Sequence, residues 1–136
     1  MGKILHTIEV GDIVRVGLDP TIGDEKQKER FCLVIESGNS HLNLIIILPI
    51  TNDNGKRNSQ FYVPIINLKG AGLHKPSVID CYQIRTVSAE RLIKNEFESF
   101  IIGRIDEAVL FEVRQRLACV LDIGEEHVII PSEYSS

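Results

Sequence analysis

A chain of 136 residues, 43% hydrophobic and 25% charged, has the size and mixture of one soluble domain that buries most of its apolar surface without a metal or disulfide. Its formal net charge of −4 at pH 7 argues against indiscriminate nucleic-acid binding, which draws its affinity from neutralising phosphates. The longest apolar run, Leu44 to Leu48, is far too short to cross a bilayer, and the N-terminus has no signal-peptide core, so a cytoplasmic protein without a membrane partner is expected.

Met1 to Val10 is of mixed character and is assigned no element. Ile13 to Leu18 places Ile, Arg and Gly on one parity and Val, Val and Leu on the other, which predicts a strand with one buried face, ending at Asp19-Pro20. Pro20 to Glu29 combines proline, glycine and many charged side chains, the composition of a mobile flap. Phe31 to Ile35 and Leu44 to Ile50 are continuous apolar runs that read as buried strands joined by a turn at Ser37-Gly38-Asn39-Ser40. Asn52 to Gln60 is a polar loop with a turn signal at Asp53-Asn54-Gly55, and Phe61 to Ile66 reads as a strand that Pro64 places at an edge or a bulge. Leu68 to Pro76 reads as loop, Ser77 to Val87 as one long or bent strand, and Phe97 to Ile102 as the last strand after a short turn capped by Ser88. Val109, Leu110, Val113, Leu117, Val120 and Leu121 recur at helical spacing between an N-cap at Asp106 and a stop at Gly124. Strands in succession with one C-terminal helix predict a small, mainly antiparallel β-barrel. A single domain therefore spans 1–136, with 125–136 a C-terminal extension whose Val128-Ile129-Ile130 reads as an edge strand or a tail.

Cys32, Cys81 and Cys119 are widely spaced, form no Cys-x-x-Cys pair and sit beside apolar residues, so reduced core thiols are expected and neither metal nor cofactor. Lys56, Arg57, Lys69 and Lys75 lie between Asn54 and Ile79 with no carboxylate among them, and Arg30, Arg85 and Arg91 flank the strands on either side. That distribution fits a local positive groove as well as it fits a solvated loop face. Arg30 opens the second apolar run and Thr51 closes the third. If those runs are neighbouring strands, a guanidinium and a hydroxyl lie side by side on one rim.

These residues carry a resemblance. Gly-Asp-Ile-Val at Gly11 to Val14, Leu-Asp-Pro-Thr-Ile-Gly-Asp-Glu at Leu18 to Glu25, Arg30 before an apolar strand, Pro-Ile-Thr at Pro49 to Thr51 and Gln-Ile-Arg-Thr-Val at Gln83 to Val87 resemble, in the same order, the MazF/PemK (Kid-like) family of toxin endoribonucleases. The resemblance implies an SH3-like barrel of the CcdB/MazF type, a homodimer with an RNA groove across both subunits, and a cognate antitoxin whose disordered acidic segment occludes Arg30. It also implies the catalytic arginine at Arg30 and its paired threonine at Thr51.

The implied reaction is metal-independent cleavage of single-stranded RNA, because the nucleophile is the RNA's own 2′-hydroxyl. Arg30 suits the cation that steadies the phosphoryl oxygens, since its planar fork grips two of them and keeps its charge, with proton donation to the leaving 5′-oxygen as a secondary role. Thr51 is expected to supply a hydrogen bond to the scissile phosphate, and Glu25 in the flap, or in second place Asp24, to accept the 2′-hydroxyl proton. Asp24, Lys56, Arg57, Gln83 and Arg85 are the expected RNA contacts, with support of the dimer as the alternative role for Gln83 and Arg85. His6, His41, His74 and His127 coincide with no family motif and are not expected to be catalytic, with His41 and His74 kept as groove contacts.

The chain departs from the family pattern at Phe31, where proline usually follows the arginine, and at Asp24, usually serine. It departs again at Pro76, commonly Asp, and at Tyr82, usually acidic. These positions bear on rate and base preference more than on reaction class. A non-catalytic binder on the same fold, either a gyrase poison or a silent relative that only binds an antitoxin, is the alternative. A proline-peptide adaptor lacks support because the chain has no Trp.

Overall fold

The computed structural model describes residues 8–18, 28–37 and 43–127. Asp24 and Glu25 of the expected flap, His6, His41 and the Val128-Ile129-Ile130 run lie outside the described residues. The described chain forms β1 (Asp12–Leu18), β2 (Lys28–Glu36), β3 (Leu44–Asn52), β4 (Tyr62–Pro64), β5 (Ser77–Asp80), β6 (Arg85–Ser88) and β7 (Ile101–Arg104). A one-turn helix α1 (Leu68–Ala71) precedes β5, and a 14-residue helix α2 (Glu107–Val120) follows β7. The strands run antiparallel in the order β4-β5-β3-β2-β1-β7, with β6 on the remaining stretch of β3. This is the expected antiparallel architecture with a C-terminal helix. The terminal strands β4 and β7 do not pair, so hydrogen bonds leave the sheet open.

Alternating side chains feed two cores. Ile13, Leu33, Leu48 and Ile50 pack with Val63, Ile65 and Ile79 and with Val109, Leu110 and Val113 of α2. On the other face Val14, Val16, Cys32, Val34, Ile45 and Ile47 pack with Val87, Ala89 and Leu92. Each fully buried Ile or Leu contributes about 1.5–3 kcal/mol of transfer free energy. The strand predicted with one buried face, β1, is thus buried on both, with only Arg15 partly exposed. The reason is tertiary, since α2 covers one side of the sheet while β6 and the Ala89–Arg91 turn cover the other.

Asp12, from the Gly-Asp-Ile-Val motif, is buried and accepts hydrogen bonds from Arg104 (2.8 Å) and from the backbone N–H of Glu9 (2.8 Å), tying β1 to β7. Its motif is therefore a structural clamp. The predicted loop at Leu68–Pro76 contains α1, whose N-cap Asn67 accepts from the Gly70 N–H at 3.0 Å. Glycine content alone reads as loop, whereas burial of Ala71 and Leu73 fixes a helical turn.

The single strand expected over Ser77–Val87 is two strands. β5 pairs with the last part of β3 through Ile50↔Ile79 and Thr51↔Val78, and β6 with its first part through Ile47↔Arg85 and Leu44↔Ser88. The chain breaks between them in a turn where Asp80 accepts from the Tyr82 N–H at 3.0 Å. Pro64 lies on the outermost strand β4, as expected of an edge. The last strand begins later than Phe97, because Asn95 accepts from the N–H groups of Phe97 and Ser99 and holds that segment as a turn. Ser88 caps its turn by accepting from the Glu90 N–H. Helix α2 starts after Asp106 as predicted and stops at left-handed Asp122, before Gly124. The N–H groups of Asp122 and Ile123 donate to the Cys119 and Ala118 carbonyls there, a Schellman closure.

Candidate active site

Strands β2 and β3 pair from Glu36↔Ile46 to Cys32↔Pro49, and the ladder ends at Pro49, a residue with no N–H to donate. Beyond it the two strands part company. β3 continues against β5, while β2 continues against β1 through Arg30↔Val16 and Glu29↔Gly17. Arg30 shares its parity with Cys32 and Thr51 shares its parity with Pro49, so both project toward the side of the last ladder pair. Together they line an open cleft of about 600 Å³ with Glu29, Phe31, Ile50, Asn52, Leu73, His74, Lys75 and Ser77.

Arg15, Arg57, Arg104 and Arg116 each face a carboxylate, whereas Arg30 has no ion-pair partner among the described residues. Its charge is available to a ligand. Thr51 accepts a hydrogen bond from the Lys56 ammonium at 3.4 Å, which adds a second cation to the β3 lip. Lys56 reaches that point because Asp53 folds the loop. Its carbonyl accepts from the Lys56 N–H (2.7 Å) and its carboxylate from the Arg57 N–H (3.1 Å), while its own N–H donates to the Pro76 carbonyl (3.0 Å). Gly55, in the left-handed region at φ 85°, completes the turn. The Arg57 side chain hydrogen-bonds the Asp53 carboxylate and holds its pKa below the ordinary value.

Of the residues expected to meet RNA, then, Arg30 and Thr51 share the cleft, and Lys56 joins them through Thr51. Arg57, Gln83 and Arg85 are exposed but do not line it. Arg57 is drawn aside by Asp53, Gln83 sits in the turn between β5 and β6, and Arg85 opens β6. Glu25 and Asp24 lie outside the described residues. His74, kept as a groove contact from the sequence, lines the cleft, and so does Lys75, which no local pattern singles out. The one signal in the sequence was the carboxylate-free basic stretch to which Lys75 belongs.

Cys32 lies buried beside this site, its thiol directed at the Arg30 carbonyl at 3.7 Å. Burial pushes it up to about 12, against the opposing pull of Arg30 and Arg85, so it is protonated and inert. Cys81 is likewise buried and raised to about 11, whereas Cys119, expected in the core, is an exposed free thiol on α2. Among the described residues no group of three or more His, Cys, Asp or Glu side chains comes together as a metal site. No helix there is long and apolar enough to cross a membrane.

Residues 9–121 match the family model described as PemK-like, MazF-like toxin of type II toxin-antitoxin system. Over 117 residues the chain is 32% identical to Endoribonuclease PemK of Escherichia coli, covering 84% of this chain and 82% of that protein. Among solved structures it resembles MazE-MazF (Form-II) from Deinococcus radiodurans, with a TM-score of 0.67, 21% identity, and coverage of 86% of this chain and 97% of that one. Mycobacterium tuberculosis toxin MazF-mt6 gives a TM-score of 0.62 at 21% identity, with 83% and 98% covered. An endoribonuclease in complex with its cognate antitoxin from a Mycobacterial species gives 0.61 at 16% identity, with 84% and 94% covered. With the family model matched over most of its length, this chain belongs to the PemK-like, MazF-like toxin family of type II toxin-antitoxin systems.

Proposed function

We propose that this toxin is a sequence-selective, metal-independent endoribonuclease that cleaves single-stranded mRNA in the cytoplasm. The observation that carries the reading is the meeting of Arg30 and Thr51 in one cleft. In the reaction, the 2′-hydroxyl attacks the adjacent phosphorus and leaves a 2′,3′-cyclic phosphate and a 5′-hydroxyl. Arg30 steadies the charge that builds on the phosphoryl oxygens, and Thr51, its oxygen already accepting from Lys56, donates its hydroxyl proton as a hydrogen bond to the same phosphate. Glu25 accepts the 2′-hydroxyl proton. Lys56 and Lys75 neutralise neighbouring phosphates, while Asp24, Arg57, Gln83 and Arg85 contact RNA beyond the scissile linkage.

The active form is a homodimer held inactive by its cognate antitoxin. Exposed Phe97 (80%), Phe111 (62%) and Leu121 (52%) are apolar side chains that a partner would cover. A solved relative described as an endoribonuclease in complex with its cognate antitoxin supports the antitoxin reading.

Incubation of the purified protein with a long single-stranded RNA in EDTA, followed by end analysis, tests the proposal. Fragments with cyclic phosphate ends are expected, and Arg30→Ala should abolish them. Intact RNA beside a protein that still binds its antitoxin would favour the non-catalytic alternative.

A further inference from the structure

We propose that His74 is the proton donor to the leaving 5′-oxygen, an inference that rests on the nuclease reading above. The ionisable side chains lining the cleft are Glu29, Arg30, His74 and Lys75. An alkoxide is a poor leaving group, so its departure calls for a side chain that both holds and releases a proton near neutrality. Guanidinium and ammonium groups hold theirs too firmly, and a carboxylate ordinarily has none to give. Imidazole does both.

The backbone presents His74 to the cleft on a pinned segment. On its N-terminal side, Gly72 stands at φ 77° where a Cβ would come 2.4 Å from the Ile102 carbonyl oxygen. Leu73 follows, buried and donating its N–H to Leu68 at 2.9 Å. On the other side, the Ser77 hydroxyl donates to the Lys75 carbonyl at 2.7 Å, and the Pro76 carbonyl accepts from Asp53. Pro76 also biases Lys75 to an extended backbone. His74 is thus an exposed residue on a fixed backbone, and the pinned segment lines the same cleft as the Glu29–Phe31 part of β2. The charged groups of the cleft around it are Glu29 and Arg30 from β2 and neighbouring Lys75, with Lys56 reaching the β3 lip through Thr51.

The step balances. The 2′-oxygen forms a bond to phosphorus and gives its proton to the base of the proposed function. The bond from phosphorus to the 5′-oxygen breaks, its electron pair leaves with that oxygen, and the imidazolium proton of His74 completes the 5′-hydroxyl. The base then gives up its proton to solvent and neutral imidazole regains one from solvent, so no net proton is gained or lost. This assignment leaves Arg30 as a pure charge stabiliser.

Single-turnover cleavage by wild type, His74→Gln and His74→Ala distinguishes the role, measured on an oligonucleotide with the ordinary linkage and on one with sulfur replacing the bridging 5′-oxygen at the same site. A thiolate leaves without protonation. Both variants should cut the ordinary linkage about 100-fold or more slowly, yet cut the sulfur linkage at the wild-type rate. Variants slowed equally on both substrates, or slowed on neither, overturn the proton-donor role while leaving the nuclease reading standing. A wild type that leaves both substrates intact overturns that reading and this inference together.

Discussion

The ammonium of Lys56 and the hydroxyl of Thr51 lie 3.4 Å apart, with Lys56 donating and Thr51 accepting. With its oxygen accepting, the threonine's own proton remains to be donated elsewhere. The contact also couples the loop after β3 to the strand end that carries Thr51.

Two substitutions separate these contributions. Thr51→Val keeps the shape and removes the donor, so the cleavage rate should fall about 100-fold with little change in affinity. Lys56→Ala should instead weaken binding and reduce the slope of log affinity against log salt by about 0.7, the loss of one phosphate contact to a single strand. Titration of a 2′-deoxy-blocked oligonucleotide at several salt concentrations checks the second, and single-turnover kinetics the first.

Arg30→Lys preserves the charge but not the fork. Because a point charge cannot grip two phosphoryl oxygens in one plane, the rate should drop about 100-fold or more. Arg30 has no ion-pair partner among the described residues, so stability should stay within about 0.5 kcal/mol of wild type. Thermal melting beside the kinetic assay tests both halves. A large loss of stability would assign Arg30 to the fold instead.

The Asp53 carboxyl is held low chiefly by the hydrogen bond from the Arg57 side chain. A depressed folded-state value means that the carboxylate stabilises the fold above its ordinary pKa of about 3.9, and that this contribution is lost as pH falls through the folded value. The melting temperature of wild type should therefore decline more steeply below about pH 4 than that of Asp53→Asn. Parallel curves for the two proteins would show that the pair contributes nothing measurable. Because Asp53 also sets the Lys56 turn, the same variant should weaken RNA binding at neutral pH.

Gly72 and Gly55 both have positive φ but differ in surroundings. Nothing lies within 4 Å of a Cβ built on Gly55, whereas one on Gly72 meets the Ile102 carbonyl at 2.4 Å. Gly55→Ala should cost about 1 kcal/mol, the penalty of the left-handed backbone alone. Gly72→Ala should cost about 2–3 kcal/mol or more, because β7 has to move as well. Urea denaturation of the two variants compares them directly. Gly72→Ala should also reduce cleavage, since it loosens the segment that carries His74 and Lys75.

Local pattern was enough to read most of the strands, the α2 start at Asp106, the Ser88 cap and the edge position of Pro64, because each depends on neighbours in the chain. It misread the segment from Leu68 to Val87. There a glycine-rich stretch becomes α1 through burial of Ala71 and Leu73, and β5 and β6 separate because different halves of β3 claim them. Local pattern put Arg30 and Thr51 at the ends of apolar runs, but it was the family resemblance that singled them out as a pair. Placing them across one cleft needed the divergence of β2 and β3 beyond Pro49, and bringing in Lys56, His74 and Lys75 needed the loops folded over it. Apolar periodicity is a property of the chain, so sequence carries it. Which side chains share a cleft depends on contacts between segments far apart in the chain, and only the packed fold decides those.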